Sequence, residues 1–127
     1  MKPSKILVFG NPRVKTDSVP LKILPKLKKQ FPEIKFKAMD PTEIIKQNEE
    51  QLWILDTVQG VNDVTIIDNP SVFTSHTALS VHNYDLALDL KLLLKLGKVK
   101  KIKVIAIPQN MSKEVAQDRV SKIISEN

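Results

Sequence analysis

The sequence predicts an α/β domain: a three-layer α/β/α sandwich on a mostly parallel, about five-stranded sheet that carries one antiparallel strand. Three observations lead there. Leu52-Trp53-Ile54-Leu55 is a continuous apolar run, the signature of a strand buried on both faces. Apolar strand-like segments alternate with stretches of helical spacing along the whole chain. One link, from Asp56 to Val64, is too short for a crossover helix, so the next strand must pair antiparallel or diverge.

Taken in order, the first strand is Lys5 to Phe9, stopped by Gly10-Asn11-Pro12, because proline lacks an N–H and constrains the residue before it. Asp17 or Ser18 is placed to cap a helix whose first turn accommodates Pro20. Val19, Ile23, Leu24 and Leu27 share one face of that helix, with a kink or late start expected from Pro25 and an end at Phe31-Pro32. Ile34, Phe36 and Ala38 alternate with Lys35 and Lys37 as in a half-exposed strand. Asp40-Pro41-Thr42-Glu43 opens a short helix expected to reach about Glu50. The central strand ends at Asp56, and Gln59 to Asp63 is a turn cluster before a strand at Val64 to Ile67. A long loop, Asp68 to Val81, has the length that functional loops tend to have. From His82-Asn83-Tyr84-Asp85 a helix carries Leu86, Leu90, Leu93 and Leu94 on one face and stops at Gly97. Lys101 to Ile107 forms the next strand, and a last helix opens near Ser112 and is expected to bury Val115, Val120, Ile123 and Ile124.

The 127 residues fit one domain, residues 1–127, and 42% hydrophobic residues suffice for a core. No apolar run reaches the roughly 18 residues of a membrane span, and the apolar stretch after Lys5 is too short for a signal peptide. A cytoplasmic protein without membrane insertion is expected. The absence of cysteine excludes disulfides, thiolate metal sites and a cysteine nucleophile. A net charge of +6 suits an acidic partner or nucleic acid. The lysines are dispersed, aromatic residues are only 5%, and Arg13 and Arg119 are the sole arginines, which speaks against nucleic-acid readout. The one dense basic stretch is Lys98 to Lys103.

Three side chains fall at strand ends or helix starts: Asp17, Asp56 and His82. In an open α/β sheet such joints collect at one edge, where ligands bind. Two carboxylates and an imidazole suit a divalent first-row cation with open positions. A histidine at a helix N-terminus is held neutral by the local positive potential, as metal binding requires. An unpaired buried carboxylate is costly, so Asp56 is expected at a wet, ligand-lined rim. Taken singly, each residue also has a bland reading, a helix cap or strand end for the aspartates and a satisfied surface residue for the histidine. His76 is a second candidate, in mid-loop with no element to fix it. There is no Gly-x-Ser-x-Gly elbow, no dinucleotide fingerprint or phosphate-cradling glycine loop, and no acidic pair after the first strand as in a phosphoacceptor receiver domain.

Gly10-Asn11, Asp17, Leu55-Asp56-Thr57 with its Gly-bearing turn, Ile66-Ile67-Asp68, and Ser80-Val81-His82-Asn83 entering a leucine-rich helix together resemble the nickel–iron hydrogenase maturation proteases. The resemblance runs from the first strand to Val104-Ile105-Ala106-Ile107 and rests on order and spacing. It implies an endopeptidase that removes a C-terminal extension from the hydrogenase large-subunit precursor after nickel insertion. It implies that Asp17, Asp56 and His82 contact a metal and are needed for cleavage. The nickel would be supplied by the substrate, and other divalent cations could take its place. Lys15-Thr16-Asp17-Ser18-Val19-Pro20 departs from the family pattern, with Ser18 and Pro20 where glycines are usual. Met39-Asp40-Pro41 replaces a Gly-rich turn, and Pro108-Gln109 inverts the family's Gln-Pro. A divergent, non-catalytic module of the same fold is the alternative.

Overall fold

The computed structural model describes residues 3–10, 13, 18–68 and 85–127, the side chains of 41, 42 and 85–87 excepted. Its strands are β1 (Lys5–Val8), β2 (Lys35–Ala38), β3 (Glu49–Val58), β4 (Thr65–Ile67) and β5 (Val99–Pro108). The α-helices are α1 (Val19–Gln30), α2 (Asp85–Lys95) and α3 (Lys113–Glu126), and a 3₁₀ helix spans Pro41–Lys46. The five strands form one sheet in the order β2-β1-β3-β5-β4. All neighbours are parallel except β4 and β5, which pair antiparallel through Thr65↔Ala106, Ile66↔Ile105 and Ile67↔Val104. The strand that follows the short link therefore diverges from β3 and joins the far side of β5. This is the predicted α/β/α sandwich with one antiparallel strand.

Alternation along the strands sorts the core into two layers. Ile6, Val8, Trp53, Leu55, Ile105 and Ile107 face α1 and α3, meeting Ile23, Leu27, Val120 and Ile124. Leu7, Phe9, Leu52, Ile54, Val58 and Val104 face the other way, against Leu90 and Leu93 of α2 and Ile44 of the 3₁₀ helix. Such a division follows from the period of two in a strand. The seam between α1 and α3 contains a polar cluster. The Gln117 amide donates to Gln30 Oε1 (2.9 Å) and to Ser121 Oγ (3.3 Å), and Ser121 Oγ donates to Gln30 Oε1 (2.6 Å).

Several expectations change in detail. α1 starts at Val19 and continues through Pro25, which lies on its exposed side, where water can serve the carbonyl freed by the missing N–H. The helix expected from Pro41 to about Glu50 is a six-residue 3₁₀ turn, and β3 begins already at Glu49. Its N-terminal residues are polar because they emerge past the covering helices; Glu49 pairs with Lys5 at 2.6 Å. β5 likewise begins earlier, at Val99, and extends to Pro108. Val115 does not enter the core: it is 41% exposed, and Ala116 takes the inward position. Ser112 does cap α3, its hydroxyl accepting the Val115 N–H at 3.4 Å.

Two joints lend themselves to measurement. Gly97 closes α2 with φ +75°, with open space around a would-be Cβ, so Gly97→Ala meets left-handed strain alone. The expected loss is about 1 kcal/mol in denaturant unfolding. Asp63, before β4, accepts from Arg119 of α3 and from the Val64 N–H. The Arg119 hydrogen bond, seconded by Val64, holds its carboxyl below the ordinary 3.8. A depressed carboxyl stabilises the fold above its unfolded pKa and loses that contribution as pH falls through the folded value. Asp63→Asn should therefore melt slightly below the parent at neutral pH, and the difference should close at pH values below the ordinary carboxyl range.

Candidate functional site

The chain leaves β1 for β2 on one side and later returns to place β3 on the other. The strand order therefore reverses between β1 and β3, and the crevice beyond their carboxyl ends is the topological switch point. Phe9 donates its N–H to the Leu55 carbonyl at 3.0 Å, so the two strands are still joined one residue before Asp56. Asp56 is thus the acidic side chain that β3 carries to this switch point.

Its setting differs from the wet rim expected. Asp56 is 0% exposed and lies within β3, with Thr57 and Val58 continuing the strand. The strand continues because its ladder with β5 does: Asp56 is in register with Ala106, Thr57 with Ile107 and Val58 with Pro108. By alternation Asp56 shares a face with Ile54 and Val58, the face covered by α2. Small Ala106 stands beside it in the sheet and leaves lateral room for a carboxylate. Asp56 Oδ1 accepts the Thr57 N–H at 2.8 Å, a bond that fixes the rotamer of the side chain. Thr57 points to the opposite layer. Its hydroxyl is buried and has no hydrogen-bond partner among the described residues.

Of the other predicted ligands, Asp17 and His82 lie outside the described residues, as does His76. What the fold does specify is where the elements next to them begin. Ser18, one residue after Asp17, is buried at the start of α1, with its carbonyl accepting the Lys22 N–H at 3.1 Å. Its side chain makes no capping bond to the helix, so of the two caps expected, Asp17 or Ser18, Ser18 does not serve, and Asp17 lies outside the described residues. α2, opening three residues after His82, feeds β5 through Gly97 and Lys98, with Lys98 N–H donating to the Leu93 carbonyl at 3.1 Å. A helix that ends where β5 begins must start toward the carboxyl edge of the sheet. Both helices thus open at the edge that carries Asp56.

A carboxylate is a competent oxygen donor for a divalent cation, so Asp56 fits one place in a mixed oxygen/nitrogen ligand set. Among the described residues no three His, Cys, Asp or Glu side chains come close enough to hold a metal ion. Asp56 would therefore need the two predicted partners. A cavity of about 420 Å³ opens nearby on the α1/α3 side, lined among others by Lys22, Asn110, Met111 and Lys113. Asp56 is not among its lining residues. The signal that pointed to this cavity in the sequence was weak: Gln109-Asn110-Met111 is an ordinary strand-to-helix loop. Among the described residues no helix is long and apolar enough to cross a membrane.

The fold is an α/β/α sandwich with a buried carboxylate beside its topological switch point. No family model matches the chain, and no curated protein matches it. Among solved structures, the crystal structure of an uncharacterized protein from Wolinella succinogenes is similar over 99% of this chain and 99% of its own, with a TM-score of 0.53 and 15% identity. That likeness shows a shared fold alone.

The unpartnered hydroxyl yields a direct test. Thr57→Val keeps the branched shape and deletes the buried polar atom, so unfolding free energy should rise by about 1 kcal/mol. An unchanged or lower value in chemical denaturation would mean that the hydroxyl is hydrogen-bonded in the native protein.

Proposed function

We propose that this protein is a metal-dependent endopeptidase that removes the C-terminal extension of a nickel–iron hydrogenase large subunit after nickel insertion. The observation that carries the reading is the buried Asp56 at the β1/β3 switch point, on the edge where α1 and α2 open two residues after Asp17 and three after His82 in sequence. It is supported by the order and spacing of the motifs from Gly10-Asn11 to His82-Asn83.

On this reading nickel arrives with the substrate. A cation so held can dock the precursor, polarise the scissile carbonyl and acidify a water. The chain's own residues then supply the rest. Asp17, Asp56 and His82 contact the incoming ion, and a carboxylate takes a proton from the attacking water. The Thr57 N–H bond on Asp56 Oδ1 holds that carboxylate in one orientation, so little ordering remains to be done when substrate binds. The basic surface favours an acidic protein partner. A cytoplasmic location follows from the substrate.

A second reading, a non-catalytic binding module of the same fold, is favoured by one observation. Ser18 is buried and Pro20 sits in the first turn of α1, where glycines would give a looser approach to a substrate backbone. The two readings part in one experiment: incubation with nickel-loaded large-subunit precursor, followed by mass spectrometry of the precursor. The protease shortens it at the C-terminus. The module binds it and leaves its mass unchanged.

Within the protease reading, Asp17→Asn, Asp56→Asn and His82→Ala should each lower the processing rate by about 10²-fold or more. Thermal unfolding of Asp17→Asn and His82→Ala should stay close to the parent. Full processing by Asp56→Asn would remove that carboxylate from the mechanism.

A further inference from the structure

β5 is longer than the strand that flanks it on one side. β3 pairs with it from Val99 to Pro108, whereas β4 covers Val104, Ile105 and Ala106 alone. Among the described residues no strand lies beside residues 99–103 on the β4 side. The chain leaves the ladder at Asp68, one residue past the Ile67↔Val104 pair. Alternate residues of such an edge turn their N–H and C=O outward, ready to pair with another backbone. A cavity of about 360 Å³ opens here, lined by Asp68, Leu94, Lys100, Lys101, Ile102 and Lys103. Ile102 belongs to the core layer under α2, while Lys103 lies over the Trp53 ring in the opposite layer, 5.2 Å from its centroid. A single cavity that reaches both faces of one strand runs along its open edge, because β3 closes the other.

This edge is strongly basic. Lys98, Lys100 and Lys101 are exposed, and Lys103 is half-buried. Their one acidic partner among the described residues is Glu50, 3.9 Å from Lys100, and both side chains of that pair are largely in solvent, which makes it weak. The lysines decide what can add to the edge. Pairing with a second copy about a two-fold at Lys100 or Lys101 sets that lysine on itself, and a two-fold at Ile102 sets Lys101 on Lys103. Like charges directly opposite are destabilising, so the edge rejects a copy of itself. A nucleic-acid backbone would answer the lysines and the N–H groups but leave the strand carbonyls facing phosphate oxygens. An extended acidic peptide answers all three. We propose that residues 99–103 take an added strand from an acidic partner, lying in line with β4, with acids at alternate positions beside Lys101 and Lys103. Main-chain bonds supply the pairing, and the lysines supply the selectivity. The proposal does not depend on the protease reading.

Amide chemical shifts of the isotope-labelled, full-length protein, followed during titration with a synthetic peptide, test it. The probe alternates glutamate with threonine over about seven residues, enough to span the free edge. The largest shifts should fall on residues 99–103. The same peptide with a central proline keeps its charge and loses a ladder N–H, so its affinity should drop by about tenfold or more. Lys101→Glu, at an exposed position, should weaken binding of the first peptide by about tenfold while shifts elsewhere stay those of the folded parent. Any of four results would overturn the added strand: no binding up to about 5 mM, shifts centred away from these amides, or undiminished binding by the proline peptide or by Lys101→Glu. Tighter binding of a single-stranded oligonucleotide of equal charge at the same amides would also overturn it, in favour of a nucleic-acid partner.

Discussion

The parallel ladder between β3 and β5 is the constraint on which the other elements depend. It runs nearly the full ten residues of both strands, from Glu49↔Val99 to Val58↔Pro108. β1, four residues long, adds to one side of it, with β2 beyond; the three residues of β4 add to the other. Because both faces of this ladder are covered, its strands can be almost continuously apolar, and each helix finds its place by covering one set of alternate side chains. The same ladder keeps Asp56 inside the sheet.

A carboxylate so placed is unusual enough to carry a functional reading. Acidic side chains are rarely buried unless something compensates them, and Asp56 is buried within β3 beside the switch point. The Thr57 N–H provides part of the compensation at 2.8 Å. On the proposed reading, a cation delivered by a substrate would add to it.

The architecture was legible in the sequence where residue patterns and burial coincide. Leu52 to Leu55 announced the central strand, and the short link after it announced the antiparallel one. What was hidden lies where burial and pattern separate. Glu49, Glu50 and Gln51 extend β3 yet look like a helix end, because that part of the strand projects beyond the covering layers. Asp56 looked like a strand terminator because an apolar run stops there, although hydrogen bonding to β5 continues. Val115 and Ala116 exchanged places because a small residue can face a tight helix seam that a larger one cannot enter. The candidate site was legible in a different way. Asp56 stood out through its position after the apolar run, whereas Asp17 and His82 gained meaning from their order in a familiar series of motifs. Both lie outside the described residues, so the structure speaks for Asp56 itself.

The polar cluster of Gln30, Gln117 and Ser121 bears on how this molecule can deform. Across the seam Gln30 Oε1 accepts from both Gln117 and Ser121, and Gln117 also donates to Ser121 within α3. Sliding α3 along α1 by a single turn would break both bonds that cross the seam, so the cluster marks one register of the two helices.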